Sequence, residues 1–81
     1  MNKDTITVTV KFFATLREYG PEKEILSIPK NSEIKVLFDK YSIPKDERRA
    51  IILVNGHPHK DLKTIMKDGD LVSIFPPIGG G

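Results

Sequence analysis

No cysteine occurs among the 81 residues, so the chain has no disulfide framework, no thiolate nucleophile and no thiolate metal site. Any sulfur chemistry it joins must run through another atom. Long apolar runs are missing too: the longest spans residues 50–54, and Met1-Asn2-Lys3-Asp4 holds no signal-peptide core. The sequence therefore reads as a soluble, cytoplasmic protein with no membrane partner. Nor is there a block of one charge. Thirteen basic and eleven acidic residues leave a net +2 and alternate in sign, whereas binding a phosphate backbone needs clustered cations, so no nucleic-acid partner is expected. A phosphate-cradling Gly-x-x-x-x-Gly-Lys loop and a metalloprotease helix motif are absent, and nothing gathers a nucleophile, a base and an orienting residue. The chain does not read as an enzyme in its own right.

What is present is one small domain with a conspicuous tail. Residues 5–12 alternate strictly, Ile6, Val8, Val10 and Phe12 against Thr5, Thr7, Thr9 and Lys11, which is the period of a half-buried strand. Phe13 breaks the alternation, residues 14–19 suit a single helical turn, and Gly20-Pro21 ends it. Residues 24–28 read as a second strand, with Leu26 and Ile28 facing the core. Ser32 reads as a helix N-cap followed by Ile34, Leu37, Phe38 and Tyr41 at i, i+3, i+4 and i+7, while Lys35, Asp39 and Lys40 face water. Tyr41 is read as core and not as a ligand-stacking ring.

Pro44 stops that helix, and residues 45–49 form a mixed-sign stretch whose Arg48-Arg49 pair is open to an acidic partner. The run at 50–54 suits a strand covered on both faces or nearly so. Asn55-Gly56 predicts a type I′ hairpin turn, with a return strand over 57–60. His57-Pro58-His59 invites a metal reading, but two histidines without cysteine or ligand-spaced carboxylates make no built site, so no metal is expected. Leu62, Ile65 and Met66 are read as anchors under a loop, 67–70 as a turn, and 71–75 as the last strand, with Val72 and Ile74 opposite Leu71, Ser73 and Phe75. Strand, strand, helix and three further strands predict a compact α+β domain over 1–75, a mixed five-stranded sheet packed on one main helix.

Residues 76–81 remain as a tail. Glycines at 79, 80 and 81 have no side chain to bury and lose the most backbone entropy when fixed, so they add nothing to folding. Without Cβ atoms they can lie flat in a narrow channel of another protein and present a terminal carboxylate there. Pro76 and Pro77 hold φ near −65° and stiffen the exit, giving a reach of about 20 Å at roughly 3.1–3.5 Å per residue. The plain alternative is a frayed chain end.

Four segments carry a resemblance: Lys11-Phe12-Phe13-Ala14-Thr15-Leu16-Arg17-Glu18, Val54-Asn55-Gly56, Lys67-Asp68-Gly69-Asp70 and Phe75-Pro76-Pro77-Ile78-Gly79-Gly80-Gly81. In order and spacing the chain resembles the MoaD/ThiS ubiquitin-like sulfur carriers, and within them the molybdopterin synthase small-subunit (MoaD) branch. Thiamine-pathway carriers share the Gly-Gly end but usually lack the Phe-Phe-Ala and Phe-Pro-Pro segments. Gly79 stands where a small residue such as alanine or serine is usual, and residues 41–49 match poorly.

The resemblance implies a β-grasp fold and a non-catalytic carrier. An E1-like activating enzyme of the MoeB/ThiF type would adenylate the carboxylate of Gly81 with ATP, and a sulfur donor protein would supply the sulfur of a thiocarboxylate. A molybdopterin synthase large subunit of the MoaE type would receive it. Gly80, Gly79, Pro76 and Pro77 would be the tail that these partners recognise, Phe75 and Phe13 the docking side chains, and no cofactor would be bound by the chain itself. Sulfur carriage for thiamine or tRNA, or a modifier that forms isopeptide bonds, are the alternatives.

Overall fold

Thr5–Phe12 forms a strand (β1) at the middle of the sheet, and its alternation is that of the sequence: Ile6, Val8, Val10 and Phe12 are buried while the intervening residues stay partly or fully exposed. The computed structural model describes residues 4–44, 50–59 and 61–77. A 3-10 helix at Ala14–Glu18 buries Leu16 and leads back to a second strand, β2 (Glu24–Pro29), antiparallel to β1 with Thr5 opposite Pro29 and Val10 opposite Glu24. Gly20 lies against the Phe12 ring, where an added Cβ would fall 2.4 Å from a ring carbon. A side chain there would displace a core aromatic.

The helix (α1, Lys35–Lys40) is shorter than the apolar stripe predicts, and Ser32 is not its cap. The Ser32 hydroxyl donates to the Pro29 carbonyl at 2.5 Å. Ile34 occupies the N-cap position with no side-chain hydrogen bond. Backbone carbonyls from the loop before the last strand take over: Ile34 N–H donates to Thr64 and Lys35 N–H to Leu62, both at 2.9 Å, while Met66 N–H returns to Ser32. The first orphan donors of the helix are thus satisfied by residues far along the chain. Met66 is buried and Leu62 packs on the core as expected, but Ile65 does not: its backbone bridges to Glu33 and its side chain is 46% exposed. Tyr41 ends the helix, and Ser42 at φ 56° turns the chain before Pro44 is reached.

Tyr41 closes one side of the core. Its ring meets Phe12 edge-on, centroids 4.8 Å apart, and its hydroxyl donates to the Glu24 carboxylate on β2. Burial first, then the hydrogen bond and negative charge of Glu24, push the phenol pKa well above its ordinary value.

Strands β3 (Ile51–Val54) and β4 (His57–His59) form the expected hairpin, with φ positive at both Asn55 and Gly56 as a type I′ turn requires. Strand β5 (Leu71–Phe75) enters between β1 and β3, parallel to the first and antiparallel to the second. The sheet order is β2-β1-β5-β3-β4. Ile34, Leu37 and Phe38 cover the face carrying Val8, Val10, Val72 and Ile74. Only Ile52 of β3 is fully buried, because the helix covers one face alone; Ile51, Leu53 and Val54 are half-buried.

Candidate functional site

β5 brings two of the predicted site residues, Phe13 and Phe75, together at its C-terminal end. Phe13 N–H donates to the Ile74 carbonyl at 3.1 Å, which fixes the first residue past β1 beside the end of β5. The two phenylalanine rings then lie parallel, 4.1 Å between centroids and 11° between planes. Both are half-buried. Such a stack adds about 0.5–1.5 kcal/mol beyond the area it covers.

The sheet register extends this pair into a platform. Phe75 pairs with Ile51 and Ser73 with Leu53, and since Ile52 and Ile74 point into the core, these four share the opposite face. Lys11 opposes Ser73 on that face and is half-buried. Phe13, Phe75, Ile51 and Leu53 are therefore an apolar surface at the root of the tail, with an ammonium at its margin. Pro76 is half-buried beside it and Pro77 is exposed.

Gly79, Gly80 and Gly81 lie outside the described residues, as do 45–49 with Arg48-Arg49, and Lys60 at the expected end of the return strand. Ile51 and Leu53 are the site residues that sequence reasoning missed. Their apolar run carries no alternation, and only pairing with β5 decides which side chains face outward.

The opposite end of β5 joins two motifs that are weak separately. Asp70 is buried and accepts from Asn55 Nδ2 at 2.9 Å and from Lys67 N–H at 2.8 Å. Asn55 Oδ1 accepts from Leu71 N–H, and Asn55 N–H donates to the Leu71 carbonyl. The Asp70 carbonyl receives Thr9 N–H, Gly69 N–H reaches the Thr7 carbonyl, and the Asp68 carboxylate accepts from Thr7 N–H at 2.7 Å. Hairpin turn, last loop and β1 are tied at this one corner. Beside it an open cleft of about 400 Å³ is lined by Asn55, His57, Ile65 and Lys67 among others. Among the described residues no three of His, Cys, Asp and Glu cluster as metal ligands, and no helix is long and apolar enough to cross a membrane.

Comparison with solved structures finds the same architecture. The solution structure of the Haloferax volcanii HVO 2177 protein is similar over 100% of this chain and 92% of its own, at 28% identity and TM-score 0.74. The small archaeal modifier protein 1 of Methanosarcina acetivorans is 31% identical over 95% of this chain and 98% of its own, with TM-score 0.66. A chain in the protein–protein complex of subunits 1 and 2 of molybdopterin-converting factor from Helicobacter pylori is 30% identical, covering 94% of this chain and 100% of its own at TM-score 0.59. Comparison with curated proteins gives no match.

A mixed five-stranded sheet over one helix, with the chain leaving from a central strand, is a β-grasp, ubiquitin-like domain. The family model described as the ThiS family matches residues 10–81, and the chain belongs to that family.

Proposed function

We propose that the protein is a sulfur carrier that serves molybdopterin synthesis. The observation that carries this reading is the platform of Phe13, Phe75, Ile51 and Leu53 around the tail root. An apolar surface that flanks an exit of two prolines lets a partner hold the body while the glycines enter its reaction channel. The H. pylori relative sits in a complex of two converting-factor subunits, which supports a large subunit as acceptor.

In the proposed cycle an E1-like enzyme binds this platform. The carboxylate of Gly81 attacks the α-phosphorus of ATP, pyrophosphate leaves, and the acyl adenylate gains a leaving group that a bare carboxylate lacks. A sulfide-level sulfur, delivered by a donor protein, attacks the carbonyl carbon and expels AMP, leaving a thiocarboxylate. Gly80 and Gly79 keep the approach narrow, and Pro76 and Pro77 hold it away from the body. The chain supplies position and a carbonyl and does no catalysis itself; ATP is the activating enzyme's substrate, not a bound cofactor. With no cysteine present, no internal thiol competes for the activated carbonyl.

The likeness to a small archaeal modifier protein favours a second reading, in which a lysine amine of another protein takes the same activated carbonyl and forms an isopeptide bond. Intact mass after incubation with ATP, the host's activating enzyme and a sulfur donor separates the two. Sulfur replacing one oxygen, lost on deleting Gly81, supports the carrier. Adducts on other proteins without any thiocarboxylate support the modifier. Deleting Gly81, which has no side chain to bury, leaves unfolding free energy unchanged to within about 0.5 kcal/mol.

A further inference from the structure

The two edges of the sheet differ in how they meet water. β4 is three residues long with Pro58 at its centre, so the middle of that edge lacks an N–H. β2 runs six residues in unbroken register with β1, has no bulge, and meets proline only at its last position. Its hydrogen bonding can be read from one contact: Lys30 N–H donates to the Asp4 carbonyl directly opposite, so the bonded pairs continue at Ile6 with Ile28, Val8 with Leu26 and Val10 with Glu24. Ile25 and Ser27 therefore turn both their N–H and C=O outward. Each is exposed, Ile25 at 65%.

We propose that this edge pairs antiparallel with the β2 strand of a second copy, about a two-fold axis at Leu26. In that register Ile25 of each copy opposes Ser27 of the other, and four backbone hydrogen bonds form between groups that now face solvent. A register centred on Ser27 spends Ile25 on Pro29, which has no N–H; one centred on Ile25 draws on Lys23, outside the strand. Charge selects the same arrangement. Glu22, in the bend before the strand, has its side chain 79% exposed and lies 3.9 Å from Arg17 of its own chain, and Lys30 follows the strand, also exposed. Past the ends of the paired strands, the Leu26-centred antiparallel register brings Glu22 of each copy toward Lys30 of the other, whereas a parallel pairing brings like charges together. The two Ile25 side chains become diagonal neighbours on the outer face. β5 and the Phe13–Phe75 platform lie inward of β1, so the dimer leaves both platforms uncovered.

The test is sedimentation equilibrium of the full chain from micromolar to millimolar concentration, with amide exchange at Ile25 and Ser27 followed by NMR. Wild type associates to a dimer, and those two amides slow with concentration while the amides of β4 do not. Lys30→Glu weakens association roughly 10-fold through two reversed pairs, and Glu22→Lys with Lys30→Glu restores it. Ile25→Lys, at an exposed position, weakens it without lowering stability. A wild type that stays monomeric at millimolar concentration overturns the proposal. So does a dimer whose Ile25 and Ser27 amides are unaffected, or one that the charge reversal and its swap leave unchanged.

Discussion

The two ends of β5 do opposite things with the same five residues of strand. At its start, the buried Asp70 carboxylate, both sides of the Asn55 amide and backbone groups of Thr7, Thr9, Lys67 and Leu71 are mutually bonded. Among the described residues no buried side-chain polar atom lacks a partner. At its finish, main-chain pairing with Ile51 and Phe13 and one ring stack hold the chain, and the outward side chains stay half-exposed. A polar corner with every group satisfied fixes one register. An apolar corner left half in water keeps free energy available for whatever later covers it. Fastening the strand at one end gives the Phe75 end a fixed place in the sheet.

Breaking the fastened end has the largest effect on folding. Asp70→Ala strands the Lys67 N–H and the Asn55 amide and lowers stability by about 2–4 kcal/mol in urea unfolding, with partner affinity unchanged wherever the variant is folded. An equal loss from both ends would erase the distinction. At the other end the order reverses: Phe75→Ala costs about 1–2 kcal/mol of stability, while affinity for the proposed activating enzyme, read by calorimetry, falls by about 2 kcal/mol or more. Phe13→Ala behaves likewise, because each ring supports the other.

Tyr41 belongs to neither end and sharpens the contrast as a control. Tyr41→Phe costs about 1–2 kcal/mol and leaves partner binding alone. Its pH signature has a definite sign. The unfolded phenol ionises near pH 10 while the folded one resists, so this contribution is whole below about pH 10 and declines as pH rises above it. Stability measured from pH 9 to 11 falls less steeply in Tyr41→Phe than in wild type, the lysines contributing alike to both.

Much of this was legible from local pattern. The alternation of β1 and β5, the positive-φ turn at Asn55-Gly56, and the stripe of Ile34, Leu37 and Phe38 all follow from short-range rules. What was not legible depends on partners distant in the chain. Ser32 has the chemistry of a cap, yet the helix start is satisfied by the carbonyls of Leu62 and Thr64. Asn55 and Asp70 stand in two separate turns and become one network only after the sheet forms. The outward aim of Ile51 and Leu53 rests on register with β5, and Ile65 looked like an anchor because nothing local reveals that its backbone bridges Glu33. For the candidate site, the sequence named Phe13 and Phe75, whose rings the fold stacks, and did not name the aliphatic half of the platform.

The position of β5 also bears on synthesis. β1 leaves the ribosome early and keeps one edge open until β5, the last of the seven elements among the described residues, arrives to fill the gap between it and β3. That pairing is between residues about sixty positions apart, so closure waits for nearly the whole chain and leaves apolar strand faces to chaperones in the meantime. A product that stops short of Leu71 cannot complete its core and is left to proteolysis. Cellular quality control of the body thereby inspects the last strand as well: every copy that survives carries Val72 and Ile74, which reach to within one residue of Phe75.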